Sequence, residues 1–72
     1  MEIEQLDLSE TVCPMALILA KRAAAKLQPG HAIRILVSDA GSVSDIPRYF
    51  LGKGYQVSTR QSGTLTEFLV TR

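Results

Sequence analysis

The residue in this 72-residue chain best suited by its intrinsic nucleophilicity to group-transfer chemistry at neutral pH is the single cysteine, Cys13, and a proline follows it directly. A thiol with the ordinary pKa of about 8.5 is mostly protonated near pH 7 and reacts poorly until ionised. A helix start changes that, because unpaired backbone N–H groups and the positive end of the helix dipole both favour thiolate. Pro14 is suited to the first turn, where a missing N–H costs nothing and a fixed φ holds the entry geometry. From Cys-Pro alone, the more ordinary role is structural: a small hydrophobe filling a gap beside Val12.

The other polar candidates are weaker. Lys21 and Arg22 lie more than two turns beyond Cys13, at least about 12 Å along the helix axis, too far to activate the sulfur directly. Asp45 falls near a second helix start and reads as a cap or dipole partner rather than a catalytic acid. His31 follows Gly30 in a turn with no Cys, His or acidic neighbour at ligand spacing, so no metal is expected. No glycine-rich cofactor motif is present, and no cofactor is expected. A single cysteine without Cys-x-x-Cys also argues against a thiol oxidoreductase, which needs a resolving partner.

The elements that must position Cys13 follow from periodicity. Ile3, Leu6 and Leu8 suit a first strand with imperfect alternation. The run from Pro14 to Leu27 holds five alanines with leucines and lysines, all strong helix formers, and Gln28-Pro29-Gly30 stops it. Ala32 to Ser38 is an aliphatic, β-branched run of central-strand length. Asp39-Ala40-Gly41 reads as a turn, after which Ser42 or Ser44 caps a second helix. That helix carries Pro47 in its first turns and ends at Gly52 and Gly54. Tyr55, Val57 and Thr59 alternate with Gln56, Ser58 and Arg60, and Phe68 and Val70 with Glu67, Leu69 and Thr71, on either side of Ser62-Gly63, as in a closing hairpin. The order β-α-β-α-β-β predicts an α+β, two-layer sandwich in which two helices cover one face of a four-stranded mixed sheet.

These elements and motifs together resemble the TusA-like (SirA/YedF) sulfur-carrier family from about Leu6 to the end of the chain. The resemblance rests on Leu6-Asp7 ahead of Cys13-Pro14, on Lys21-Arg22, on Gln28-Pro29-Gly30, and on Asp39 followed by Asp45-Ile46-Pro47. It implies a single TusA-like domain over residues 1–72 in which Cys13 accepts sulfane sulfur as a persulfide. The implied partners are a protein sulfur donor, either a cysteine desulfurase or a rhodanese, and a protein sulfur acceptor. The implied outlets are tRNA thiolation or sulfur oxidation, and an active member would serve as a sulfurtransferase or sulfur carrier. One departure stands out: the family opens this helix with Cys-Pro-x-Pro, and here the residues are Cys13-Pro14-Met15-Ala16. Ala16 favours helix and restores a backbone N–H, so a thiolate-stabilising start survives; proline there is expected to break no intrahelical bond.

A helical wheel assigns Leu17, Ala20, Ala24 and Leu27 to the sheet and Met15, Leu19, Arg22 and Lys26 to the opposite face. With Pro14, the second stripe forms a candidate docking patch beside the nucleophile. Single exposed apolar residues flanked by solvated cations are also ordinary on any helix, and both readings stand at this point.

Composition bounds the function classes. With 46% hydrophobic and 21% charged residues the chain is that of an ordinary globular protein, and at this length its core must be simple. A net charge of +1 is too small for a sequence-independent nucleic-acid or membrane footprint, so neither direct nucleic-acid binding nor membrane association is expected. The single cysteine and the lack of a leader-like or 18-residue apolar run predict a cytoplasmic protein whose thiol stays reduced between reactions. A second class keeps the fold without the chemistry: a protein-interaction or regulatory module, an RNA-facing one included, in which Cys13 only packs.

Overall fold

The computed structural model describes residues 3–12 and 14–72. Six elements follow one another: β1 (Ile3–Leu8), α1 (Met15–Ala25), β2 (Ala32–Val37), α2 (Ala40–Gly52), β3 (Gln56–Ser62) and β4 (Leu65–Thr71). The strands form one mixed sheet in the order β1-β2-β4-β3, with β1 parallel to β2 and β4 antiparallel to both of its neighbours. This is the expected β-α-β-α-β-β arrangement.

The pleat sorts side chains by face. Ile33, Ile35 and Val37 of β2 and Thr66, Phe68 and Val70 of β4 are buried, and the apolar ones join Leu8, Ala16, Ala20, Ala24, Ile46 and Phe50 in one core. Both helices therefore lie on that face. The intervening Arg34, Leu36, Leu65, Glu67 and Leu69 are only half-buried, on a face that no helix covers. Register shows Ile3 to belong to this second face with Gln5 and Asp7, whereas Leu6 and Leu8 point inward, which explains the broken alternation of β1.

Local chemistry explains where the helices start and stop. After α1, Lys26 and Leu27 close the last turn through bonds to Ala23 and Ala24, and Gly30 takes φ +87°. The cap of α2 is Asp39, one of the residues read from sequence as a turn: its carboxylate accepts from Ser42 N at 3.1 Å and lies 3.4 Å from Ser42 Oγ. Ser42 is thus the capped residue rather than the cap. Pro47 stands in the interior of α2 instead of its first turns, where its lack of an N–H forfeits one helical bond. At the C-terminus Gly54 adopts φ +88°, Gly54 N donates to Leu51 O and Tyr55 N to Phe50 O. This is the Schellman pattern, and its accompanying apolar contact is the edge-on pair of Phe50 and Tyr55, 5.2 Å between centroids. The hairpin turns at Gly63, with φ +62°.

Candidate functional site

The site is built at the C-terminal ends of β1 and β2, where the chain turns from β1 into α1. Thr11 N donates to Leu8 O at 3.0 Å, turning the chain back. Ser9 N donates to Asp7 Oδ1 at 3.0 Å, and Ser38 Oγ, just after β2, donates to Ser9 O at 2.6 Å. The bonds from Ser9 hold the Asp7 carboxyl below its ordinary pKa. Asp7, Ser9, Glu10 and Thr11 line a shallow polar depression on this loop.

Cys13, the predicted nucleophile, lies outside the described residues. Its neighbours are described: Val12 is 62% exposed, Pro14 is exposed, and Met15 is 52% exposed. Pro14 holds the N-cap position of α1 with φ −89° and ψ −5°, and no side chain caps this start. Ala16 N donates to Val12 O at 3.1 Å and Ile18 N to Pro14 O at 3.1 Å. The N–H that Ala16 adds is therefore already engaged, and proline at 16 would break a hydrogen bond, contrary to the expectation from sequence.

Along α1 the wheel needs one correction. Leu19, assigned outward, is half-buried and packs against the core. The inward arc is centred on Ala16 and Ala20, both fully buried, because alanine lets the helix approach the sheet closely. At about 100° per residue, Leu17 and Leu19 then fall at the two margins of that arc, and both pack on the core. Ile18, 43% exposed, takes the outward place, between Met15 and the exposed Arg22 and Lys26. Its spacing, three after Met15 and four before Arg22, was a readable signal.

Sequence reading also missed how the cations gather. Lys21, Arg22 and Lys26 stand on α1 or its C-cap, and Arg48 and Lys53 on α2 or its C-cap; α1 itself carries no acid. Lys21 Nζ sits 4.5 Å from the centroid of the Tyr49 ring and Lys53 Nζ 5.8 Å, so Tyr49 joins the two helices through a shared cation–π contact. The helical layer is therefore basic, although the whole chain is nearly neutral. Among the described residues no group of three His, Cys, Asp or Glu gathers at metal-ligand distance, and no helix is long and apolar enough to cross a membrane.

The family model described as Sulfurtransferase TusA matches residues 4–72. A provisionally named sulfur carrier protein of Neisseria meningitidis is 29% identical over 68 residues, covering 92% of each chain. Another of Halobacterium salinarum is 33% identical over 61 residues, covering 83% of this chain and 75% of its own. The crystal structure of a SirA-like protein from Desulfitobacterium hafniense superimposes with a TM-score of 0.82 at 28% identity, over 96% of this chain and 95% of that one. With a fold shared almost end to end and a family match over nearly its whole length, the chain belongs to the TusA sulfurtransferase family.

Proposed function

We propose that this protein is a sulfur-relay carrier that holds sulfane sulfur as a persulfide on Cys13 and passes it to an acceptor protein. The observation that carries the reading is that the chain's only cysteine directly precedes the helix start of a TusA-family fold. Residues 1–72 act as one domain in this scheme.

In loading, the Cys13 thiolate attacks the outer sulfur of a persulfide on a donor protein of the cysteine desulfurase or rhodanese kind. A new S–S bond forms at Cys13, the donor's S–S bond breaks, and the donor cysteine departs as thiolate. In delivery, the acceptor's thiolate attacks the outer sulfur on Cys13, which leaves as thiolate in turn. Sulfur oxidation states balance across both steps, so no oxidant and no second cysteine on the carrier is needed. A cysteine just ahead of a helix start is in a position that favours thiolate, and a thiol that ionises readily is the better leaving group in delivery. Pro14, Met15, Arg22 and Lys26, with Ile18 in the place first given to Leu19, form the surface on which donor and acceptor dock. A cytoplasmic setting, with tRNA thiolation or sulfur oxidation downstream, fits this chemistry.

The test is mass spectrometry of native protein after incubation with a cysteine desulfurase and free cysteine. The carrier gains one sulfur, about 32 Da, and loses it to an acceptor thiol, whereas Cys13→Ser stays folded and gains nothing. Absence of loading from both a desulfurase and a rhodanese, or equal loading of the serine variant, would leave the chain as an interaction module.

A further inference from the structure

We propose that the uncovered face of the sheet is where two copies of this chain pair, face to face about a two-fold axis parallel to the strands between β2 and β4. The proposal is independent of the persulfide reading, since it concerns the side of the sheet opposite the helices.

Leu36, Leu65 and Leu69 stand half-buried on this face with Ile3, 44% exposed, at its edge. Leu36 and Leu65 wall an open groove of about 320 Å³ that Arg60 and Glu67 also line. A single layer of helices leaves these leucines partly in water, and a second layer would remove them from it.

The occupant is argued from the charges. Register places Asp7, Leu36, Glu67 and Arg60 in one row across the four strands, with the acid on edge strand β1 and the base on edge strand β3. Three strand spacings separate the two edges, about 14 Å. A two-fold axis along the strands reverses the strand order while keeping each row level. It therefore sets Asp7 of each copy against Arg60 of the other, two equivalent ion pairs from one operation. The same operation lays β2 over β4 row on row, so that Leu36 of one copy stands over the aliphatic stem of Glu67 of the other, flanked by Leu65 and Leu69, and Leu69 stands over the stem of Arg34. At the centre, Arg34 Nε and Glu67 Oε1 already lie 3.3 Å apart within each chain. Arg34 Nε is buried without a well-aligned hydrogen bond, so the contact is an ion pair, and it enters the interface already neutralised. An axis across the strands would instead set β1 on β1 and β3 on β3 with the rows reversed, so that Asp7 and Arg60 of the two copies would not meet.

The size of the face sets the strength. Four strands of six or seven residues present roughly 400 Å² of flat area, below the ~800 Å² per partner of a standard stable interface. The pair is therefore concentration-dependent, and its edge ion pairs make it salt-sensitive.

Sedimentation velocity from about 10 μM to 1 mM, at low and high salt, is the test. The natural chain associates reversibly at low salt. Asp7→Arg alone and Arg60→Asp alone each weaken that association at least about tenfold. Mixing the two variants restores pairing, now between unlike copies: the introduced arginine of one variant meets the introduced aspartate of the other at one edge, and the unaltered Asp7 and Arg60 meet at the opposite edge. The double variant pairs with itself. Circular dichroism on each variant separates loss of pairing from loss of fold. A natural chain monomeric to about 1 mM at low salt, or single variants that associate as the natural chain does, would overturn the proposal, and so would a mixture no more associated than its components.

Discussion

Ser38 Oγ donates to the carbonyl oxygen of Ser9 across 29 residues of sequence, at 2.6 Å, and this is the bond that ties the loop ahead of Cys13 to the end of the central strand β2. Ser38→Ala removes the donor while the exposed carbonyl turns to water, so the cost to global stability is modest, about 0.5–1 kcal/mol. The larger change is local: amide hydrogen exchange at Ser9 to Thr11 speeds up, and Ser38→Thr, which keeps the hydroxyl, restores protection. Unchanged exchange in the alanine variant would mean that the loop is held by other contacts.

Asp7 supplies a pH dependence whose sign is fixed. Its carboxyl pKa is lowered in the folded chain by the Ser9 bonds, side chain first and backbone second. A depressed carboxyl contributes stability above its unfolded value of about 3.9 and loses it as pH falls through the folded value. Chemical denaturation between pH 6 and the acid limit therefore shows a decline below about pH 4 that Asp7→Asn reduces. Equal slopes for the two chains would remove Asp7 from the account.

Ala16→Pro destabilises the fold. The substitution deletes the bond from Ala16 N to Val12 O and puts a ring at a fully buried position in the core. Losing the bond costs about 1 kcal/mol, partly offset by about 0.4–1 kcal/mol from a stiffer unfolded chain, and the crowding adds to the loss. Thermal unfolding should fall by a few degrees, given roughly 4–8 °C per kcal/mol at this size. An equal or higher midpoint would show that the first turn relaxes around proline.

Reversing Arg22 and Lys26 to glutamate should weaken binding of a persulfide donor more than it weakens folding. Both side chains are exposed, so their contribution to stability is small, whereas charge on a docking surface sets encounter rate and orientation. Titration of the donor, followed beside thermal unfolding, separates the two effects. Binding that is unchanged across both reversals would move the interface off this stripe.

Most of the architecture was legible because the pattern of apolar residues and the chain breakers agree: alanines and leucines between Pro14 and Gln28, a β-branched run at Ala32, glycines at 30, 54 and 63. What sequence reading missed has specific causes. Asp39 in Asp-Ala-Gly has the composition of a turn, and only the bond from Ser42 N distinguishes a cap from one. Leu19 was turned outward because the sheet-facing arc was drawn through Leu17, Ala20, Ala24 and Leu27 without the fully buried Ala16, which rotates the arc toward Leu19. The gathering of Lys21 and Lys53 on Tyr49 depends on how α1 packs beside α2, which no periodicity within either helix encodes. The candidate site was legible only in outline, as a cysteine before a helix; the Ser9 and Ser38 tie that shapes its loop joins segments far apart in sequence.

The last strand in the chain is not last in the sheet: β4 lies between β2 and β3 and pairs with both. On a ribosome, β1, α1, β2 and α2 all leave the exit tunnel before the strand on which β2 and β3 must close. Until the segment ending at Thr71 emerges, Ile35 lacks its cross-strand neighbour Phe68 and the apolar face of β2 has no second wall. Folding during synthesis thus waits for β4, and a nascent chain halted short of it exposes a sticky, unpaired strand edge to chaperones and proteases.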